Sequence, residues 1–249
     1  AAIILEPMVF EEPQAGFLQT LRSICDDRGI VLIFDEMWTG FRIALGGAQE
    51  RFSVRADLAC FSKAVANGMP LSILTGRADI MKQFEHDVFF FTTFGGEALS
   101  LAAAKATIQY LRDNDVPRRI EELGLILRDE LNALISDRGI SYMSCKGLGT
   151  RTMIAFDGSV ADPLLMKSLV QQEMFARGIL WGGFHNMSYA HTAADVSLTL
   201  RAYNEVLELL NRAVVGGDLI HQLHGIPMQP VFRQTGNFNT KPRGATVRI

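Results

Sequence analysis

Lys63 and Asp35 are the residues whose types and settings could do chemistry together. Lys63 lies in Asp57-Leu58-Ala59-Cys60-Phe61-Ser62-Lys63-Ala64-Val65-Ala66-Asn67-Gly68-Met69-Pro70, after an apolar strand-like run and before a turn of small residues. Asp35 follows Ile30-Val31-Leu32-Ile33-Phe34 and opens Asp35-Glu36-Met37-Trp38-Thr39-Gly40-Phe41-Arg42, just past a second apolar strand. An amine at one strand end and a carboxylate at another are what pyridoxal phosphate chemistry needs. The amine forms a Schiff base with the aldehyde, and the carboxylate pairs with the protonated pyridine nitrogen. Taken alone, each has a plainer reading: a lysine after a strand is usually a solvated loop residue, and Asp35 could merely cap its loop. The surrounding elements have to decide.

Those elements read as α/β. A strand over 1–6, a helix over 14–28 stopped by Gly29, and a strand over 30–35 make a βαβ unit with parallel strands. Ala1-Ala2-Ile3-Ile4-Leu5 is continuously apolar, the pattern of a strand covered on both faces. A chain opening inside such a strand is expected to have lost what preceded it. Short strands follow at 57–61 and 71–76. Phe89 to Gly96 is aromatic enough for a strand and glycine-rich enough for a loop. Ala98 to Leu111 is an alanine-rich helix suited to close packing.

After Asn114 the pattern changes to long amphipathic helices. A stripe of Val116, Ile120, Leu123, Leu127, Leu131 and Leu134 starts behind Asp115 as its cap. Strands at 140–145 and 151–156 flank a turn over Lys146-Gly147-Leu148-Gly149-Thr150. A helix over 162–177 ends at Gly178, a short strand occupies 179–181, and a last helix covers 193–214. Thr192 with Asp195 forms its capping box. The organisation expected is the C-terminal portion of a large domain over 1–113, a small α+β domain over 114–215, and an irregular tail over 216–249.

The bulk properties exclude several functions. The 249 residues carry a net charge of -3, with 48% hydrophobic and 20% charged residues, so neither nucleic acid nor an anionic membrane is an expected partner. No apolar run approaches the roughly 18 residues of a membrane span, and no signal segment opens the chain. Three cysteines, Cys25, Cys60 and Cys145, have no metal-like spacing; buried thiols in a reducing cytoplasm are expected.

Four segments together carry a family resemblance. Leu32 to Arg42 continuing into Ala44-Leu45-Gly46-Gly47-Ala48-Gln49, Phe61-Ser62-Lys63 with Asn67-Gly68-Met69-Pro70, Thr93-Phe94-Gly95-Gly96-Glu97-Ala98-Leu99, and Ser188-Tyr189-Ala190-His191-Thr192 occur in order. From Ala1 to about Val214 the chain resembles the class III pyridoxal-phosphate aminotransferases, most closely the glutamate-1-semialdehyde aminomutase branch. The resemblance implies the PLP-dependent transferase fold (fold type I), a small-molecule amine or amino-acid substrate, and a homodimer with shared active sites. It also implies that Lys63 holds the cofactor and moves the substrate proton, and that Asp35 faces the pyridine nitrogen. Met37 would lie against the ring, unless it fills the core. Trp38 would stand near the ring hydroxyl, where many relatives carry a smaller side chain. Thr93 would bind the phosphate, with adjacent Thr92 the alternative. His191, Glu36 and Arg42 read as structural, the last two as ion-pair partners.

Three departures qualify the activity. Gly183, in Gly182-Gly183-Phe184-His185-Asn186-Met187, stands where the aminomutase branch usually carries an acid, so an aminomutase and a transaminase both stay open. No arginine for the substrate carboxylate is evident in that segment. The phosphate-gripping glycine loop that the family places earlier in its chain is not in this sequence. A non-catalytic remnant that keeps the dimerising surface is therefore the alternative to an enzyme, and decarboxylase or racemase chemistry shares the same cofactor.

Overall fold

The alternation of half-buried and buried positions along Val31–Asp35 fixes which face of the first sheet carries a core. The computed structural model describes residues 1–229; the tail expected beyond that point lies outside the described residues. The first sheet has the order β1 (Ala2–Leu5), β2 (Val31–Asp35), β3 (Leu58–Phe61), β4 (Ile73–Gly76). β1, β2 and β3 are parallel, and β4 pairs antiparallel with β3. Leu32 and Phe34 pack with Leu18 and Cys25 of α1 (Phe17–Arg28), joined by Ile3 and Leu5 of β1. Gly29 ends α1 in the left-handed region at φ 62°, where a side chain would be strained. The expectation that both faces of β1 are covered is not met. Ile4, on the face away from α1, is 64% exposed.

β3 runs directly into a 3-10 turn at Lys63–Val65. α2 (Gly47–Phe52) precedes β3, and α3 (Ala78–Met81) follows β4. α4 (Ala98–Asp113) lays Ala104 against Val65 and Ala66, so its small side chain lets the helix brace the lysine turn. Its N-cap is Glu97, whose carboxylate accepts from the Leu99 and Ser100 amides at 2.8 and 2.5 Å. Phe89–Gly96 forms a loop rather than a strand, and Phe89, Phe90, Phe91 and Phe94 are exposed.

The second half comprises α5 (Val116–Asp137), β5 (Met143–Leu148), β6 (Arg151–Phe156), α6 (Pro163–Ala176), β7 (Phe184–Asn186) and α7 (Ala193–Gly216). Its sheet has the order β5-β6-β7, antiparallel throughout. Leu127, Leu131, Met166, Val170, Tyr203 and Leu207 lie in its single core. The capping box at Thr192 is present, with Asp195 accepting from the Thr192 amide at 2.8 Å.

Three local expectations are corrected. Lys146, Gly147 and Leu148 belong to β5, because β5 pairs with β6 down to Leu148 opposite Arg151, leaving Gly149-Thr150 as a two-residue turn. The third strand is Phe184–Asn186 rather than 179–181. Asp115 sits at φ 47° and gives no side-chain cap to α5; its carboxylate is taken by Arg118 instead. Within the tail, Leu219 is buried, and the Met228 amide donates to Ser168 Oγ at 2.8 Å, so this stretch lies across α6.

Within the second half, a Cβ on Gly124 of α5 would strike the Gly149 carbonyl, so the helix lies directly on the β5–β6 turn. The two halves meet through close backbone and charge contacts: a Cβ on Gly147 of β5 would strike the Phe10 carbonyl in the loop after β1. Arg51 of α2 reaches Glu121 of α5 at 3.0 Å.

Candidate active site

Parallel pairing sets Asp35 opposite Cys60, and the Glu36 amide donates to the Cys60 carbonyl at 2.9 Å. Asp35 and Lys63 therefore leave the C-terminal ends of adjacent parallel strands. That edge is where open α/β sheets bind ligands, because the strands stop there and the loops diverge. Asp35 accepts the Met37 amide through Oδ1 at 3.0 Å, leaving Oδ2 with no hydrogen-bond partner among the described residues. Burial first, and then the Asp35 carboxylate, raise the Cys60 thiol above its ordinary value.

Lys63 adopts φ 47°, in the left-handed region that a lysine rarely occupies. Holding it there costs on the order of 1 kcal/mol, which the turn supplies through the Val65 amide on the Ser62 carbonyl at 3.1 Å and the burial of Val65. Ser62 Oγ in turn donates to the Leu71 carbonyl at 2.8 Å. Among the described residues no acid pairs with the Lys63 amine, and the residue is exposed.

Glu36 holds the loop that carries Met37 and Trp38. Fully buried, it accepts from Thr39 Oγ1 at 2.5 Å, from the Ala48 amide at 2.8 Å and from the Gln49 amide at 3.1 Å. Among the described residues it makes no ion pair, contrary to expectation, because three neutral donors close round it. Gly47, at φ 67°, approaches the same carboxylate so nearly that a Cβ would collide with it. Arg42 also departs from the expected ion pair: its Nη2 donates to the Thr150 and Met187 carbonyls, each at 2.7 Å. It ties this loop to the second sheet. Burial, and secondarily Arg151, lower Arg42 to about 10.

Trp38 packs against the cluster of Met8, Ile43, Ala48 and Leu148, at the junction of the two halves. Met37 joins none of the hydrophobic clusters among the described residues, so core filling does not account for it. Thr93 is exposed and makes no hydrogen bond to Asp35 or Lys63; it borders a hollow of about 940 Å³ with Pro70, Leu71 and Ser72. Thr92 borders the same hollow, so the geometry does not separate the two hydroxyls. His191 has the structural place expected of it, with Nδ1 accepting the Ser188 amide at 3.0 Å just before α7. Sequence reasoning missed Arg151, which enters this junction from β6; its only signal was a cation at a strand start with no acid close by in the sequence.

Comparison with known proteins follows the same outline. The family "Aminotransferase class-III" matches residues 1–214. The chain belongs to the class-III aminotransferases. Among its relatives, the glutamate-1-semialdehyde 2,1-aminomutase of Thermomicrobium roseum is 40% identical over 228 residues, covering 83% of this chain and 52% of that protein. The enzyme of the same description from Syntrophobacter fumaroxidans is 34% identical over 219 residues, covering 81% and 51%. The chain thus spans about half the length of the curated relatives it matches. Among solved structures, the PLP internal aldimine form of the FumI protein of Sphingopyxis sp. MTA144 superposes with a TM-score of 0.78 at 26% identity, covering 86% of this chain and 53% of that one. A glutamate-1-semialdehyde aminomutase from Pseudomonas aeruginosa, in complex with PMP, shares the fold with a TM-score of 0.73 at 21% identity. The class-III fold expected from the sequence is therefore shown, with the first sheet mixed only through β4.

Proposed function

We propose that this class-III chain binds pyridoxal 5'-phosphate and serves amino-group transfer. The observation that carries this is the pairing of Asp35 with Cys60, which delivers a free carboxylate oxygen and the strained, uncommitted Lys63 amine to one edge of the sheet. The residues fit the group: an acid for the ring nitrogen, an amine for the aldehyde, and Met37 outside any core for the ring face. When bound, the cofactor supplies an electron sink for the substrate carbon that loses its proton.

Each residue then has a task. Asp35 keeps a proton on the ring nitrogen, and its Oδ1 bond to the Met37 amide fixes which oxygen is left for that work. Lys63 would hold the cofactor through Nζ, and its tethered amine would be the group that carries the proton at the substrate carbon. Trp38 closes the ring-hydroxyl side, and Thr93 is assigned to phosphate.

Transfer between two substrates is favoured over the aminomutase reaction by Gly183. It supplies no acid where the aminomutase branch carries one, and its φ of 92° is a conformation that favours glycine there. We assign residues 1–113 to the cofactor-binding portion and 114–215 to a small domain, supported by the separate sheets and clusters. A homodimer is supported by the exposed Phe89, Phe90, Phe91 and Phe94 beside Thr93, a patch that a second copy would cover. A cytoplasmic setting is supported by three free thiols; no described helix is long and apolar enough to cross a membrane.

Borohydride reduction after incubation with pyridoxal phosphate, followed by peptide mass spectrometry, tests the assignment. A pyridoxyl group on Lys63, and its absence in Lys63→Ala, is the expected result. Labelling spread over other lysines with Lys63 untouched would refute it.

A further inference from the structure

Among the described residues, Arg151 is a cation with no acid paired to it. Its guanidinium lies 4.2 Å from the ring centre of Phe10, 5.0 Å from Trp38 and 5.5 Å from Phe184. Those rings come from the loop after β1, the loop after β2, and β7. They enclose the cation where the C-terminal edge of the first sheet meets the second. Nε is buried with no hydrogen-bond partner, and none of the other side-chain nitrogens donates to a described residue. Glu6 is the acid whose charge acts on Arg151, yet the two form no ion pair. Arg42, the neighbouring cation, has already spent Nη2 on two carbonyls. Trp38, on which Arg151 stacks, directly follows Met37, whose amide holds Asp35.

A guanidinium stacked on aromatic faces is oriented without using its hydrogen-bonding edge. Here the edge stays free beside Trp38, on the loop that Asp35 opens, and the buried unpaired Nε is costly until an acceptor arrives. A planar carboxylate matches that edge with two parallel bonds. We propose that Arg151 anchors the carboxylate of an amino-acid or oxo-acid substrate, and so selects carboxylated substrates over uncharged ones. This rests on the proposed function for the identity of the reaction, but the carboxylate site itself is independent of the cofactor.

Two arms keep the two apart. In the first, full-length cofactor-free protein is titrated with succinate, and with succinamide as the uncharged control. Arg151→Met, which keeps the stacking but removes the charge, weakens succinate binding by about 10- to 100-fold, the factor expected for a lost hydrogen bond to a charged group. In the second, the loaded enzyme shows a KM for an oxo acid raised by about the same factor, with KM for an uncharged aldehyde of equal length unchanged. Arg151→Lys recovers part of both losses. Should Arg151→Met fail to fold, phenylglyoxal modification of wild-type Arg151, mapped by mass spectrometry, decides: succinate slows it and succinamide does not. Equal succinate affinity in wild type and Arg151→Met, an equal rise in KM for both acceptors, or modification indifferent to succinate would overturn the anchor. Failure to trap cofactor at Lys63 while succinate still requires Arg151 would overturn the reaction and leave the anchor standing.

Discussion

His185 should make the second half of the molecule lose stability on mild acidification. Its Nδ1 lies 2.7 Å from Thr152 Oγ1, and its Nε2 lies 2.7 Å from the Tyr203 hydroxyl. Trp181 Nε1 donates to that same hydroxyl oxygen. Tyr203 is fully buried and has no other acceptor among the described residues, so its proton goes to His185 Nε2 and the ring is neutral with its hydrogen on Nδ1. Protonating Nε2 would set two donors against each other. Burial accordingly lowers His185 from 6.5 to about 4. Because the folded value lies below the unfolded one, the stabilisation is complete above pH 6.5 and is lost as pH falls toward 4. At about 1.4 kcal/mol per unit, this amounts to about 3.5 kcal/mol in full and about 2.5 kcal/mol by pH 4.5. Urea unfolding followed by tryptophan fluorescence, at pH 7 and pH 4.5, measures it. Comparison with His185→Gln removes the contribution of carboxylates common to both proteins. Wild type should lose about 2.5 kcal/mol more than the variant over that interval. Parallel pH profiles for the two would refute the reasoning.

Two further substitutions test the frame of the site. Glu36→Ala strands Thr39 Oγ1 and the Ala48 and Gln49 amides in a buried loop, so thermal or urea unfolding should show a loss of about 3 to 5 kcal/mol; a loss near zero would mean that the loop is held otherwise. Gly124→Ala gains helix propensity of about 1 kcal/mol, but its methyl meets the Gly149 carbonyl. A net destabilisation of about 1 to 3 kcal/mol is expected in urea, and a more stable variant would contradict the close contact.

Elements marked by neighbours in the chain were legible from the chain. The α1 stop at Gly29 and the Thr192–Asp195 box on α7 are written within a few residues of the ends they define. The ordered motifs around Asp35 and Lys63 were equally plain, and the family they indicate is the one that matches. Errors fell where a partner far along the chain chose the outcome. Gly147 reads locally as a turn, yet it stays in β5 at φ 99° because β6 pairs through it. Glu36 and Arg42 look like ion-pair residues by type, but their partners proved to be a helix start 12 residues on and carbonyls more than 100 residues away.

The sequence by itself determined the chemistry on offer: an amine and an acid, each placed at a strand end by short apolar runs with local stop signals. Only the tertiary structure decided that those strand ends are neighbours, because register is set by cross-strand hydrogen bonds between residues 25 apart. It alone also brought Arg151 among Phe10, Trp38 and Phe184, since three rings from distant segments share no local signal. Local conformation is encoded in adjacent side chains, whereas the company a charged group keeps depends on how whole elements pack.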